Sequence, residues 1–320
     1  MYDTIKNFNK QFLFKPEIEN RVVFKRQSGF VVVGMGGSAL AALLLKTWKP
    51  TISIIIHSNY GLPELSTEEW ENKTTILSSY SGNTEEVIDA FKEAKKQNLN
   101  IVVISTGGKL LALARENKTP YIELPNTGIQ PRSALGFSIK AFLKFMGEEK
   151  ELKKIGELAE TLNPTDYEKD GKTLAIIVKN HIPVIYASSR NLSLAYIWKI
   201  KINETGKIPA FYNVFPEVNH NGMTGFDVRD STKTLSKKFY FIILKDKKDD
   251  PRILRRMDVL EKLYKDRDLS VESIKLDEKD TWYKIFSSLV LADWFAYYIA
   301  IEYGLDPEQV PMVEEFKKLI

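Results

Sequence analysis

One turn of this sequence, residues 78–84, concentrates hydroxyl side chains around a glycine. An apolar run at 74–77 precedes the turn and predicts a buried strand, and a segment of helical periodicity at 85–96 follows it. The spacing of Asn83 and Glu86 predicts a capping box at the start of that helix. The turn is therefore expected to join a strand directly to a helix.

Such a turn can bind an anion, because backbone N–H groups and the positive end of the helix dipole meet there. Ser79, Ser81 and Thr84 supply hydroxyls, and the turn contains no Lys or Arg. Hydroxyls without a cationic side chain favour reversible binding of the phosphate group of a metabolite. The alternative is a serine-rich loop that only caps a helix.

A second turn, 34–39, also joins a strand to a helix and carries Gly36, Gly37 and Ser38. Its pattern is close to a dinucleotide-binding fingerprint, which expects a carboxylate at the end of the next strand. That strand ends at 56–59 in Ile-His-Ser-Asn, which lacks a carboxylate. The glycines are therefore predicted to let the backbone approach a sugar or phosphate instead.

Three further residues have the chemistry of catalytic groups. Arg132, in a loop before an apolar helix, carries a permanent charge that can stabilise an oxyanion. Glu204 ends a helix and is a candidate general base. His220 lies between two asparagines in an aromatic, apolar loop at 209–221. Each of these residues taken alone is more often structural, but their joint presence indicates catalysis.

Composition excludes several classes of protein. The chain of 320 residues contains no cysteine, so disulfides and thiolate chemistry are excluded, and its three histidines argue against a histidine-rich zinc site. The net charge of +4 is small, and basic residues alternate with acidic ones at 148–154, which argues against a nucleic-acid partner. We also expect no membrane span and a cytoplasmic location, since no apolar stretch approaches about 18 residues and no signal peptide is evident.

Alternating apolar runs and helical segments predict an α/β fold with doubly wound parallel sheets. A charged helix at 149–162 ends at Asn163-Pro164, and the pattern then repeats in degenerate form. We therefore expect two subdomains, 1–162 with an N-terminal helical segment and 163–320 with C-terminal helices. The strands are predicted at 30–33, 52–56, 75–77, 101–104, 121–124, 183–187, 239–244 and 271–276, and the main helices at 39–46, 85–96, 109–116, 149–162, 191–205 and 282–303.

These motifs together resemble the bifunctional phosphoglucose/phosphomannose isomerases of the sugar isomerase (SIS) superfamily. The resemblance runs from about residue 30 to the C-terminus, and it is carried by 34–38, 79–84, 131–136 and the specific block 203–221. It implies two SIS subdomains, each with a five-stranded parallel sheet, and a homodimer. It also implies interconversion of glucose 6-phosphate, and of mannose 6-phosphate, with fructose 6-phosphate through a cis-enediol, without a metal or cofactor.

The resemblance implies a role for each motif residue. Ser79, Ser81 and Thr84 would hold the phosphate, with Ser38 nearby. Glu204 would move a proton between C1 and C2, Arg132 would stabilise the enediolate, and His220 would assist ring opening from the neighbouring subunit. A C-terminal lysine also takes part, for which Lys317 fits best and Lys318 remains an alternative.

Two departures from the family pattern bear on the substrate. Ala39-Leu40-Ala41 stands where relatives often have Ile-Gly-Gly, and Pro307 is followed by Glu308 where relatives often have threonine. The second departure makes the glucose activity the safer prediction. Other SIS isomerases remain an alternative, although the glutamine-dependent synthase is disfavoured because the chain lacks cysteine. A binding module is disfavoured because residues 1–29 leave no room for a helix-turn-helix.

Overall fold

The chain forms two compact units in its computed structural model, which describes residues 1–276 and 279–319. The first unit is Asn7–Thr161, and the second is Leu162–Ile320 together with Met1–Lys6. Residues 1–6 are predicted from the sequence to belong to the first subdomain. They belong to the second unit because helix α1 (Tyr2–Lys6) brings the ring of Tyr2 edge-to-face against Trp294, 5.1 Å between centroids. The expected domain boundary at 162/163 stays a prediction.

The first unit contains a five-stranded parallel sheet in the order β2-β1-β3-β4-β5. Its strands are β1 (Gly29–Val33), β2 (Ile54–His57), β3 (Lys73–Ser78), β4 (Ile101–Ser105) and β5 (Tyr121–Glu123), and its helices are α2 (Gly37–Trp48), α3 (Thr67–Glu71), α4 (Glu85–Lys96), α5 (Gly108–Glu116), α6 (Leu135–Met146), α7 (Glu149–Gly156) and α8 (Leu158–Thr161). The single helix expected at 149–162 is therefore two helices.

Burial explains this sheet. Strands β1 and β4 are buried at every position, as continuous Val and Ile runs require when helices cover both faces of a parallel sheet. The apolar face of α4, with Val87, Phe91 and Ala94, packs in one cluster with Val31 and Val103 of the sheet. Because all five strands are parallel, their carboxyl ends lie at the same edge of the sheet, which we call the carboxyl edge.

The second unit contains a four-stranded parallel sheet in the order β7-β6-β8-β9. Its helices are α9 (Glu168–Val178), α10 (Leu192–Lys201), α11 (Lys233–Ser236), α12 (Pro251–Lys265), α13 (Thr281–Glu302) and α14 (Pro311–Leu319), and its strands are β6 (Ile182–Ser188), β7 (Phe211–Phe215), β8 (Phe239–Lys245) and β9 (Ser270–Lys275).

Two expectations for the second unit are corrected. The aromatic segment read as a loop contains strand β7, because aromatic residues and Val214 favour an extended conformation and pair in parallel as an edge strand beside β6. The expected fifth strand is not found among the described residues. Residues 276–280 separate β9, the fourth strand, from helix α13. Two of these residues, 277 and 278, lie outside the described residues.

Helix α13 is the core of the second unit. By length and composition it could span a membrane, contrary to the expectation that no stretch is long enough, but 78% of its most apolar window is buried in the protein. Its Asp293 forms a fully buried ion pair with Lys201 at the end of α10, 2.6 Å between Oδ1 and Nζ. Such a pair fixes the relative position of two helices because breaking it leaves an uncompensated charge.

Candidate active site

Hydrogen bonds join the turn after β1 to the turn after β3 at the carboxyl edge of the first unit. Tyr80 N donates to Ser38 Oγ over 2.8 Å, and Ser78 Oγ donates to the Ser38 carbonyl over 3.2 Å. Ser38 is 7% exposed. Its hydroxyl therefore braces the turn after β3 as well as lying at the start of α2.

The hydroxyls of the turn after β3 differ in exposure. Ser79 is 1% exposed, and its Oγ lies 2.7 Å from Thr84 Oγ1 while accepting a hydrogen bond from Gly82 N over 3.1 Å. Thr84 is half-buried, whereas Ser81 is exposed. Ser79 thus shapes the turn from inside, and Ser81 presents its hydroxyl outward.

The expected capping box at Asn83 is wrong. Thr84 occupies the N-cap position of α4, and the Asn83 side chain accepts a hydrogen bond from Lys109 N instead, over 3.1 Å. Asn83 thus bonds to the turn after β4 instead of capping its own helix. The spacing of residues along the sequence could not reveal this contact.

The turns after β3 and β4 approach each other at their glycines. Gly82 has φ +71°, and a Cβ atom there would lie 1.9 Å from the Gly107 carbonyl oxygen. Gly108 has φ +67°, and its Cβ would lie 2.4 Å from the Ser81 carbonyl oxygen. Any larger residue at either position must move backbone as well as adopt a disfavoured conformation.

Helix α4 begins at this turn without a side-chain cap. The first N–H groups of a helix have no intrahelical partner and carry the positive end of the dipole. Gly36 occupies the N-cap position of α2, so this helix also begins without a side-chain cap. A Cβ at Gly36 would meet nothing within 4 Å. Open backbone donors beside the Ser81 and Thr84 hydroxyls make this edge suitable for an anion.

The Arg132 loop adjoins these turns. A Cβ at Gly37 would lie 2.7 Å from the Pro131 carbonyl carbon and 2.8 Å from Arg132 N, so only glycine allows this approach. Arg132 lies in a short 3-10 helix, Pro131–Ser133, and is only 1% exposed, so it is not a surface arginine. Its charge is desolvated, and such a charge interacts more strongly with an oxyanion than one in water.

The corresponding turn of the second unit, after β8, has the opposite chemistry. Asp250 caps α12 by accepting from Arg252 N over 2.8 Å, and buried Asp249 accepts from Ser188 Oγ over 2.8 Å. Burial alone would raise the pKa of Asp246, but the hydrogen bond and charge of Lys284 outweigh it and lower that pKa. A carboxylate of the protein thus occupies the cap position of α12, which is left without a side-chain cap at the start of α4.

Glu204 lies in the second unit, in a π-helical turn, Ile202–Gly206, that continues α10. It is half-buried, and Asn203 Nδ2 closes the following loop by donating to the Ile208 carbonyl over 2.9 Å. The buried Lys201–Asp293 pair lies one turn earlier. Since single π-helical turns often occur at functional sites, this geometry agrees with a functional role for Glu204.

Tyr196 of α10 lies within electrostatic reach of Glu204. Burial raises the pKa of Tyr196, and the neighbouring Tyr212 and Glu204 raise it further. The rings of Tyr196 and Tyr212 meet edge-to-face with 5.4 Å between centroids, and Tyr212 is 38% exposed.

His220 follows β7 and a short 3-10 helix, Glu217–Asn219, and its side chain is exposed. The neighbouring asparagines hold the loop: Asn221 Nδ2 donates to Glu217 Oε1 over 2.6 Å, and Asn219 Oδ1 accepts from Arg256 Nη1 over 3.4 Å. The imidazole is thus presented outward on a braced loop.

Lys317 lies on α14, where every described residue is exposed, and its Nζ pairs with Glu314 Oε1 at 2.7 Å. The exposure of Lys318 is similar, so the structure does not separate the two lysines. The first unit thus gathers Gly36, Gly37, Ser38, Ser79, Ser81, Thr84 and Arg132, and the second unit carries Glu204, His220 and Lys317.

Sequence analysis did not single out two buried polar residues near these groups, Gln11 and Asp293. A signal existed for Asp293, which is a lone acidic residue within the apolar stretch of α13. Gln11 carried none, because Asn9 and Lys10 precede it and make the segment polar. Isolated polar residues in apolar segments usually have buried partners.

The glycine contact predicts a specific loss of stability and anion binding. Gly82→Ala should be destabilised by about 1–3 kcal/mol more than Gly61→Ala, because overpacking adds to the cost of a left-handed alanine. Gly61 is the matched control, since it has φ +67° and no atom within 4 Å of its Cβ position. Thermal unfolding with and without inorganic phosphate measures both effects. Phosphate should stabilise Gly61→Ala but not Gly82→Ala, and equal behaviour of the two variants would contradict the prediction.

Comparisons with known proteins give the family. The sequence model for the bacterial phospho-glucose isomerase C-terminal SIS domain matches residues 167–320. The chain is 31% identical to the bifunctional phosphoglucose/phosphomannose isomerase of Aquifex aeolicus, over 99% of this chain and 97% of the relative. It is 32% identical to the enzyme of that name from Thermoplasma volcanium, over 91% of this chain and 90% of the relative.

The fold is also found among solved structures. The C-terminal domain of glucosamine-fructose-6-phosphate aminotransferase from Francisella tularensis superposes with a TM-score of 0.66 at 15% identity, over 97% of this chain and 96% of that one. The two parallel sheets are thus those of SIS proteins, as the sequence predicted. From its identity to full-length relatives, the chain belongs to the bifunctional phosphoglucose/phosphomannose isomerase family.

Proposed function

We propose that this protein interconverts glucose 6-phosphate, and also mannose 6-phosphate, with fructose 6-phosphate. The observation that carries the proposal is the hydroxyl-bearing turn at the uncapped start of α4, packed through Gly82 against Gly107, in a chain of this family. Ser81, Thr84 and the backbone N–H groups of α4 would bind the phosphate. Ser79, already bonded to Thr84, would orient that hydroxyl.

The proposed chemistry is proton transfer between C1 and C2 of the opened sugar. Glu204 takes a proton from one carbon, the electrons of that C–H bond form the C1–C2 double bond, and the carbonyl π electrons shift onto oxygen to form a cis-enediolate. Glu204 then returns the proton to the other carbon while the hydroxyl proton passes between O2 and O1. Arg132 stabilises that oxyanion with a charge that persists at every working pH. The reaction needs a base and a fixed positive charge, and both belong to this chain's own side chains. Activity after treatment with a chelator tests whether a metal is required.

His220 is proposed to assist ring opening from the neighbouring subunit of a homodimer, and Lys317 to take part from the C-terminal helix. The exposure of His220 on a braced loop supports its availability to a second chain. We place the reaction in the cytoplasm, since a charged sugar phosphate does not cross a bilayer unaided.

The role of Glu204 predicts the loss of both activities together. In a coupled assay on metal-stripped protein, Glu204→Gln should lower the conversion of glucose 6-phosphate and of mannose 6-phosphate by roughly 10²–10⁴-fold. Glu302→Gln is the matched control. Glu302 also lies at the end of a helix, and its Oε2 pairs with Lys179 Nζ near the surface, 3.0 Å away.

Other outcomes of this assay would change the proposal. If wild-type protein converts only glucose 6-phosphate, the mannose activity is wrong while the mechanism stands. If it binds both sugars and converts neither, the chain is a sugar-phosphate-binding SIS module. If both reactions survive in Glu204→Gln, a different group is the base.

The proposed contribution of His220 across subunits predicts complementation between variants. Glu204→Gln and His220→Ala should each be impaired, the second on the order of 10²-fold. After subunits of the two variants are mixed and exchanged, half of the dimers carry one intact site, so activity should return to about a quarter of the wild-type value. If both residues of a site came from one chain, no mixed dimer would have an intact site and no activity would return.

A further inference from the structure

A buried glutamine contacts the backbone on the C-terminal side of Arg132. Gln11 lies in the short 3-10 helix Phe8–Leu13 and is 4% exposed. Its Nε2 donates to the Ser133 carbonyl over 2.7 Å, and its Oε1 accepts from Gly136 N over 2.9 Å. Both ends of the amide are therefore committed to the segment that follows Arg132.

The contact depends on close packing. A Cβ at Gly136 would lie 2.7 Å from Gln11 Cβ, so glycine at this position allows the glutamine to reach the backbone. One turn later, Lys140 Nζ donates to the Phe12 carbonyl, and Lys140 is itself 5% exposed. Three hydrogen bonds thus connect the 3-10 helix Phe8–Leu13 to Ser133 and to the first turns of α6.

Arg132 is fixed from two directions. On one side, the backbone of Pro131 and Arg132 rests against Gly37. On the other, Gln11 holds Ser133 and Gly136. A 3-10 helix of three residues has too few internal hydrogen bonds to orient itself. Because the arginine side chain is long, a small rotation of this backbone moves the guanidinium by a larger distance.

We infer that Gln11 is a positioning residue for Arg132. It does not touch the reacting atoms, and it sets the placement of the guanidinium by bonding to the backbone of the same loop. The inference rests on the proposed function, in which Arg132 stabilises the enediolate. Misplacing such a charge weakens an interaction made in the transition state, so kcat falls while KM changes little.

The test compares kcat and KM for fructose 6-phosphate formation in two variants and in wild type. Gln11→Ala should lower kcat about 10-fold or more, with KM within about twofold of wild type. Asn9→Ala should leave both constants near wild type. Asn9 is the matched control, since it lies in the same 3-10 helix and its Nδ2 donates to the Ala159 carbonyl over 2.7 Å, away from the arginine loop. Equal losses in both variants would show a general effect of the segment and overturn the inference.

Gln11→Glu provides a readout that a purely structural role would not move. A protonated carboxyl can donate to Ser133 and accept from Gly136, whereas an ionised one can only accept. Activity of Gln11→Glu relative to wild type should therefore rise as pH falls through the titration of this carboxyl, which burial shifts up and the nearby Lys140 ammonium shifts down. A ratio that stays constant with pH would overturn the inference. This variant also serves if Gln11→Ala does not fold.

A double-mutant cycle separates the inference from the proposed function. Arg132→Ala should lower kcat roughly 10²–10³-fold. If Gln11 acts through Arg132, adding Gln11→Ala to that variant should cause little further loss. An undiminished further loss would overturn the positioning role while the proposed function stands. Full activity of Arg132→Ala would instead refute the proposed role of Arg132.

Discussion

The candidate site depends on the contact between the turns after β3 and β4, where Gly82 lies against the Gly107 carbonyl. This contact holds the start of α4 beside the start of α5 without a side chain between them. The Ser79–Thr84 hydroxyl pair and the Tyr80–Ser38 hydrogen bond then brace the turn. A rigid turn of this kind keeps backbone donors oriented before any ligand arrives, which reduces the entropy lost on binding.

The two units show how one topology supports opposite chemistry. The turn after β3 in the first unit carries hydroxyls and leaves α4 uncapped, whereas Asp250 caps α12 at the corresponding turn of the second unit. There, Asp249 and the Asp246–Lys284 pair are buried. The second unit instead supplies Glu204, at a π-helical turn held by the Lys201–Asp293 pair. In the proposed mechanism, phosphate binding belongs to the first unit and proton transfer to the second.

Sequence patterns predicted the first sheet well because its strands are continuous apolar runs buried on both faces, such as β1 and β4. Helix α4 was predicted with its observed bounds, since its apolar periodicity is strong. Strand β7 was missed because it lies at an edge, where exposed and buried residues mix. Local spacing also predicted a cap at Asn83, whereas a contact from Lys109, which is distant in sequence, decided its role.

The motif residues of the site could be named from sequence, but their supporting contacts could not. Arg132 was recognised as a candidate, yet its burial and its approach to Gly37 follow only from the fold. Gln11 precedes Arg132 by more than one hundred residues, so no local pattern connects them. Such long-range polar contacts are set by tertiary packing rather than by periodicity.

The most direct test of the account follows hydrogen exchange during turnover. Wild-type protein is incubated with fructose 6-phosphate in D₂O, and NMR measures deuterium at C2 of the aldose products. Glu204 is half-buried rather than sealed, so its proton can exchange with solvent during the lifetime of the enediolate. The account predicts glucose 6-phosphate and mannose 6-phosphate that both carry deuterium at C2. Products that retain only protium at C2 would contradict proton transfer through a carboxylate that exchanges with solvent.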